Sequence, residues 1–256
     1  MQKVKIMNNK DIQNATTNYL KRNNYPHFDL KTVMFDMDGV LFDSMKNHAR
    51  SWHDTMAHFG LNLPYEEAFM HEGRTAASTI NIVSLRERGH EATEDEIKEI
   101  YAYKGMLFNQ CPKAVRMPGA YQLLLNVKSS GLTPMVVTGS GQKSLLERLQ
   151  TNFPGIFQKD LMVTAFDVRQ GKPNPEPYLM GMRKAGNLQP YQSIVVENAP
   201  LGVQSAVASG CFTIAVNTGP LPDSALLDEG ADILFPSMQA LCDQWSSLFA
   251  ILSTTP

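Results

Sequence analysis

Two aspartates stand two residues apart where an apolar run stops, in the stretch Thr32, Val33, Met34, Phe35, Asp36, Met37, Asp38, Gly39. A carboxylate at the end of such a run, held beside Mg2+, can attack phosphorus to give an acyl phosphate, which divides one hard displacement into two easier ones. Asp36 is the candidate. Asp38, past the strand, suits a general acid that protonates the leaving oxygen and later a base that activates water. Its backbone carbonyl is also a candidate metal ligand. Thr138, Gly139 and Ser140 supply a hydroxyl, small neighbours and backbone N–H groups, and Lys172 supplies a cation, all suited to hold the charge of a transferring phosphoryl group. Mg2+ prefers oxygen ligands and keeps several waters, so two or three protein groups are enough to hold it.

Each feature has a plainer counterpart: a turn signal for the aspartate pair, a solvated loop residue for Lys172, a helix N-cap for Asp43 or Ser44. What joins them is their placement on the predicted elements. Strands are expected at Thr32–Asp36, Pro134–Thr138, Leu161–Thr164, Ser193–Glu197, Thr213–Val216 and Ile233–Phe235. Helices are expected at Gly119–Ser130, Gln142–Thr151, Pro175–Ala185, Leu201–Ser209 and from Met238 onward. Alternation of this kind implies a parallel sheet covered on both faces, with ligands beyond the carboxyl ends of its strands. Between Asp43 and Gln110 the pattern is helical throughout, at Ser44–Phe59, Arg74–Arg88 and Thr93–Asn109, with no convincing strand. The fold class is therefore α/β, a Rossmann-like core of residues 31–44 and 115–256 with a small all-helical cap of residues 45–114 inserted after the first strand. Residues 1–30 form a polar leader in which Ile12, Ala15, Tyr19 and Leu20 mark one stripe of a short helix; it reads as a surface appendage.

Composition narrows the function. The 256 residues are 43% hydrophobic and 19% charged, and 23 basic against 25 acidic side chains leave a net charge of -2. Such a balance argues against a basic surface gripping nucleic acid. No apolar run is long enough to span a membrane or serve as a signal peptide. Cys111, Cys211 and Cys242 lie far apart without a CxxC pair, so the expected setting is a reducing cytoplasm. His48, His53 and His58 recur every five residues, a spacing that scatters rings around a helix and makes a shared zinc site improbable. The Thr138–Ser144 run lacks both the GxGxxG and the GxxxxGK[ST] patterns, which excludes dinucleotide and P-loop binding.

The four runs DMDGVLFDS, VVTGS, GKPNPEPY and VVENAPLGV, taken in this order, resemble the motifs of haloacid-dehalogenase-type phosphotransferases, in the β-phosphoglucomutase-like branch. The resemblance covers nearly everything from Lys31 onward. It implies that Asp36 is the nucleophile and a Mg2+ ligand, Asp38 the general acid/base, Thr138 the phosphate-binding hydroxyl and Lys172 the cation that steadies both. It places Asn198 on the family's acidic metal-binding position with Glu197 beside it, and it allows His48 to face the site, a surface or packing role being equally open. His71 shares that ambiguity. The second aspartate favours phosphate esters or anhydrides over haloacids.

Two departures from the family pattern bear on substrate. Asn198 keeps a ligand oxygen but omits a negative charge worth roughly 4 kcal/mol at ~4 Å in an effective dielectric of ~20. In the cap, MHEGRTAAST places Glu72 where a β-phosphoglucomutase carries Lys and Ala76 where it carries Arg, so both cations that would grip a sugar bisphosphate are missing, with Arg74 as a possible replacement. Together the departures suggest that Glu72 supplies from the cap the carboxylate that Asn198 omits, giving a metal set of Asp36, Asp38, Asn198, Glu197 and Glu72. Such a set favours a small, highly charged substrate. MHEGRT combined with VVENAPLG resembles a Bacteroides-type inorganic pyrophosphatase within this branch. Gly139, Ser140, Arg74 and His48 complete the expected substrate contacts. A β-phosphoglucomutase or small-sugar-phosphate phosphatase is the alternative activity, a catalytically retired binding module the non-enzymatic one. Oligomeric state is not legible.

Overall fold

The computed structural model describes residues 7–140 and 145–255. Strands β1 (Thr32–Phe35), β2 (Thr133–Val136), β3 (Ser193–Glu197), β4 (Phe212–Val216) and β5 (Ile233–Phe235) form a sheet in the order β2-β1-β3-β4-β5, and every pairing is parallel. Phe35 lies opposite both Val136 and Val196, so the carboxyl ends of β1, β2 and β3 finish level. That alignment brings Asp36, Thr138 and Glu197 to one edge. β1, β3 and β4 are buried along their whole length, as expected of strands covered on both faces.

Helix α1 (Asn9–Asn23) precedes the sheet, and α2 (Met45–His58), α3 (Ala76–Arg88) and α4 (Glu94–Gln110) lie between β1 and β2. Helix α5 (Ala120–Ser129) leads into β2. α6 (Leu145–Asn152), α7 (Glu176–Lys184), α8 (Pro200–Ala208), α9 (Ser224–Leu227) and α10 (Met238–Thr254) complete the chain. α1, α5 and α10 close one face over Phe35, Phe212 and Phe235, with Trp245 of α10 in the same cluster, while Tyr178 and Met182 of α7 cover Met34 and Met135 on the other. Of the expected helix at Gln142–Thr151, the Gln142–Ser144 part lies outside the described residues.

The helices α2, α3 and α4 enclose a hydrophobic cluster of their own around Met56, Phe69, Ile80 and Ile100. Two chain segments join them to the sheet, and they are stitched together by Asp43 N donating to Val115 O and Met117 N to Leu41 O, both at 2.9 Å.

Two expectations are corrected. Leu161–Thr164 forms no ladder strand; Val163 makes a single bridge to Val137, and the chain then turns because Asp167 Oδ2 accepts from both Thr164 N and Thr164 Oγ1 at 2.8 Å. A side chain that competes for the backbone in this way ends strand pairing. The N-terminal stripe is also no surface appendage. Ile12 and Tyr19 are fully buried, Tyr19 Oη donates to Gly210 O at 2.8 Å, and Arg22 pairs with Asp232 at 2.9 Å. Among the described residues, no helix is long and apolar enough to cross a membrane.

Candidate active site

The turn after β1 sends Asp36 and Asp38 into a pocket between sheet and cap. Gly39 follows with φ +88°, and a β carbon there would lie 2.1 Å from Asn198 Nδ2, so only glycine lets the loops after β1 and β3 approach so closely. Lys172 arrives from the loop before α7 and is buried. Its Nζ donates to Asp36 Oδ1, to Glu197 Oε1 at 2.5 Å and to Val137 O at 3.3 Å. Although burial pulls the Lys172 pKa down, the two carboxylates raise it above its ordinary value, so it is a fixed cation. Burial pushes Asp36 up to about 7, with Lys172 pulling against it and Glu197 and Asp38 adding to the rise.

Asp38 has a different setting. Ser44 Oγ donates to its Oδ1 at 2.5 Å, and His48 Nε2 lies 3.5 Å from the same oxygen. Burial would raise the Asp38 pKa, but His48 and the Ser44 hydroxyl hold it well below the ordinary carboxylate range. Lys104 Nζ, 3.0 Å from His48 Nδ1, can only donate, so Nδ1 accepts and the ring's own N–H is on the side of Asp38. Burial lowers the His48 pKa, partly offset by Asp38, and lowers Lys104 to about 8. The two pKa values are thus moved apart, with Asp36 the more readily protonated of the pair, an order that a divalent cation beside Asp36 would counter by favouring its charged form.

Asp36, Asp38, His48, Glu72, Arg74, Thr138, Gly139 and Ser140, all expected from sequence, line one cavity of about 130 Å3. The Thr138 hydroxyl accepts from Ser140 N at 3.0 Å, which folds that loop over its own oxygen. Gly73, next to Glu72, seats the cap on the core: its φ is +85°, and a β carbon there would lie 3.2 Å from Lys172 Cδ. Glu72 accordingly reaches the core. Asn198 Nδ2 donates to Glu72 Oε2 at 3.2 Å, while Glu72 Oε1 and Asn198 Oδ1 are buried without partners. Burial raises the Glu72 pKa well above its ordinary value, and Asp36, Glu197 and Asp38 add to it.

Among the described residues, no three His, Cys, Asp or Glu side chains converge as a metal cluster. The donors that do meet are mixed, the Glu72 carboxylate and the Asn198 amide, with Asp36 lining the same cavity as Glu72, and one oxygen of each of the first two is buried and unsatisfied. Buried acceptors left unpaired are costly, and an oxygen-preferring divalent cation would satisfy them, so the set fits Mg2+.

Glu197 is the site residue whose expected role changes. Its Oε1 accepts from Lys172 and from Tyr178 Oη at 2.6 Å, and its Oε2 accepts from Asn198 N at 2.9 Å and Ala199 N at 3.4 Å. Both oxygens are occupied by protein donors, so this carboxylate holds Lys172 in place of ligating a metal. Gly202 makes room for it, since a β carbon there would lie 2.0 Å from Glu197 Oε1. Sequence reading also missed Ser44, taken as a plain N-cap, and Lys104. The signal for Lys104 was present: it continues the stripe Ile97, Ile100, Lys104, Phe108, where an apolar residue belongs.

A family model described as haloacid dehalogenase-like hydrolase matches residues 33–216. Hexitol phosphatase A of Escherichia coli is 32% identical over 212 residues, 82% of this chain and 93% of that protein. Validoxylamine A 7'-phosphate phosphatase of Streptomyces hygroscopicus is 30% identical over 210 residues, 81% of this chain and 94% of that one. A solved structure from Bacteroides vulgatus, of a protein proposed to be a β-phosphoglucomutase, has 62% sequence identity and a TM-score of 0.94, covering 96% of this chain and all of that one.

Proposed function

The chain belongs to the haloacid dehalogenase-like hydrolases, in their β-phosphoglucomutase-like branch, and from that premise we propose that it is a Mg2+-dependent inorganic pyrophosphatase. The observation that carries this reading is the meeting of Glu72 from the cap with Asn198 of the core at 3.2 Å. Glu72 occupies the place of a phosphate-gripping cation and turns its charge toward the core, a choice suited to a substrate held largely through a divalent ion. The cavity supports it: at about 130 Å3 it is far below the roughly 300–1,000 Å3 usual for organic ligands.

In this reading Asp36 attacks one phosphorus of pyrophosphate, the bond to the bridging oxygen breaks, and Asp38, which must first take up a proton in the closed complex against its low resting pKa, gives that proton to the departing phosphate. Asp38 then takes a proton from water, whose oxygen attacks the aspartyl phosphate, releasing the second phosphate and restoring Asp36. Lys172, held between Asp36 and Glu197, offsets charge on the transferring group without having to reorganise. Thr138 and the backbone of Gly139 and Ser140 hold its oxygens, and Arg74, whose Nε is buried and unpartnered, faces the departing phosphate. Mg2+, held by Asp36, the Asp38 carbonyl, Asn198 and Glu72, would neutralise phosphate charge and draw electron density from the phosphorus. Seating of the cap keeps bulk water away from the acyl phosphate.

A sugar-phosphate phosphatase or β-phosphoglucomutase is the second reading, favoured by the activities named for the relatives above. The test compares kcat/KM for pyrophosphate, hexose 6-phosphates and β-glucose 1-phosphate with Mg2+. Pyrophosphate should lead, and Asp36→Asn should abolish turnover. A higher value for either sugar phosphate would overturn the proposal, and phosphate release undiminished in Asp36→Asn would remove the enzymatic site altogether.

A further inference from the structure

His71 has been given no role, yet it forms part of the catalytic pocket's wall. It ends the 3-10 turn Glu67–His71, and its side chain is only 9% exposed. Its Nε2 lies 3.1 Å from Glu67 Oε1, which also accepts from Arg86 at 2.5 Å. Burial alone would raise the Glu67 pKa, but the Arg86 and His71 hydrogen bonds bring it below its ordinary value, so Glu67 is a carboxylate. A carboxylate only accepts; Nε2 therefore carries the proton, and in the neutral ring Nδ1 keeps a lone pair.

That Nδ1 is buried and has no partner. Three residues on, Arg74 Nε is likewise buried and unpartnered, and Arg74 N donates to His71 O at 3.2 Å, so one turn of chain carries both atoms. A turn that lines the pocket thus carries an unpartnered acceptor and an unpartnered charged donor. A phosphate group bearing one proton has the complementary face, an O–H beside an O–.

We propose that His71 is a substrate-positioning residue whose Nδ1 accepts a hydrogen bond from the protonated oxygen of the leaving phosphate, with Arg74 on a neighbouring anionic oxygen. The substrate class is a phosphoanhydride whose departing group is itself a phosphate. The assignment rests on the pyrophosphatase reading. Glu67 and Arg86, which never touch substrate, act by fixing the ring's tautomer and direction.

Asn and Gln separate the two ends of the imidazole. The side-chain amide of Asn reaches the place of Nδ1, and that of Gln the place of Nε2. His71→Gln keeps the Glu67 contact and loses the Nδ1 acceptor, so kcat/KM for pyrophosphate should fall about ten- to a hundredfold, as for loss of one hydrogen bond to a charged partner. The fall should be at least tenfold smaller for p-nitrophenyl phosphate, whose leaving group has no phosphate O–H. His71→Asn should retain most pyrophosphate turnover, and thermal melts of both variants should show a folded protein. Equal losses on the two substrates, or a Gln variant outperforming Asn, would overturn the assignment while leaving a pyrophosphate-preferring wild type intact. A wild type that prefers sugar phosphates would overturn it together with its premise, and the two failures are told apart by the wild-type panel alone.

Discussion

Glu72→Gln keeps the volume of the side chain and one oxygen while removing its charge. Glu72 Oε2 and Asn198 Nδ2 are 3.2 Å apart, and unit charges at that distance interact by about 5 kcal/mol at an effective dielectric of ~20. A carboxylate facing a divalent cation across a similar gap gains an interaction of that order, and the amide oxygen of Gln recovers part of it. A net loss of about 2–3 kcal/mol remains, which is roughly thirty- to a hundred-and-sixtyfold in turnover. Asn198→Asp should be useless or harmful in the wild type, because it sets a second carboxylate against Glu72. In the Glu72→Gln background it should restore at least tenfold, because the missing charge returns from the core side. The assay is initial phosphate release from pyrophosphate across a Mg2+ titration for all members of this double-mutant cycle, with circular dichroism as a control for folding. Glu72→Gln within threefold of wild type at every Mg2+ concentration would refute the reasoning. So would an Asn198→Asp effect that is the same in both backgrounds.

Gly202→Ala would place a methyl group 2.0 Å from Glu197 Oε1, pushing that carboxylate off Lys172; kcat should fall at least tenfold, and an unchanged kcat would show that Glu197 has no such role. Tyr19→Ala should cost about 3–5 kcal/mol in urea unfolding, the usual range for a buried aromatic, whereas a dispensable leader would give less than about 1. Asp232 is pushed by burial up to about 6 from 3.8, with Thr213 N–H and Arg22 pulling it down. Its protonated form is favoured in the folded state, so the wild type loses stability as pH rises from about 4 through about 6. Asp232→Asn removes that dependence and should gain on the wild type by up to about 3 kcal/mol between pH 4 and pH 7, measured by urea midpoints. A constant difference across that range would contradict it.

Much of this site could be read from the chain because strand ends announce themselves. Asp36, Thr138 and Glu197 each follow an apolar run, and parallel pairing puts those ends on one edge whatever the details of the turns. Direction was harder to read. Adjacent residues at a strand end face opposite sides, so Glu197 points toward Tyr178 and Lys172 while Asn198 meets the cap; sequence proximity made both look like metal ligands. Ser44 carries an N-cap's residue type at an N-cap's position, yet its hydroxyl makes no capping bond and serves Asp38. The stripe of Ile12, Tyr19 and Leu20 announces a helix, but its partners, α10 and Gly210, lie so far along the chain that no local pattern names them.

The charges in the pocket connect these observations. Lys172 is one cation shared by two carboxylates, and Asp36 and Glu72 both have raised pKa values, burial being the first cause in each. Lys104 and His48 lie on the Asp38 side and do little for Glu72. In the proposed reading the divalent cation supplies the missing positive charge. Its ligands are divided between two bodies, Asp36 and Asn198 on the core and Glu72 on the cap. An ion that binds only when both are in place stabilises the seated cap by as much as the seated cap strengthens its binding. A substrate that brings Mg2+ with it would therefore help to close its own site, and one bound through sugar hydroxyls alone would not. On that argument the replacement of a cap cation by Glu72 makes closure itself selective for a metal-bound polyanion.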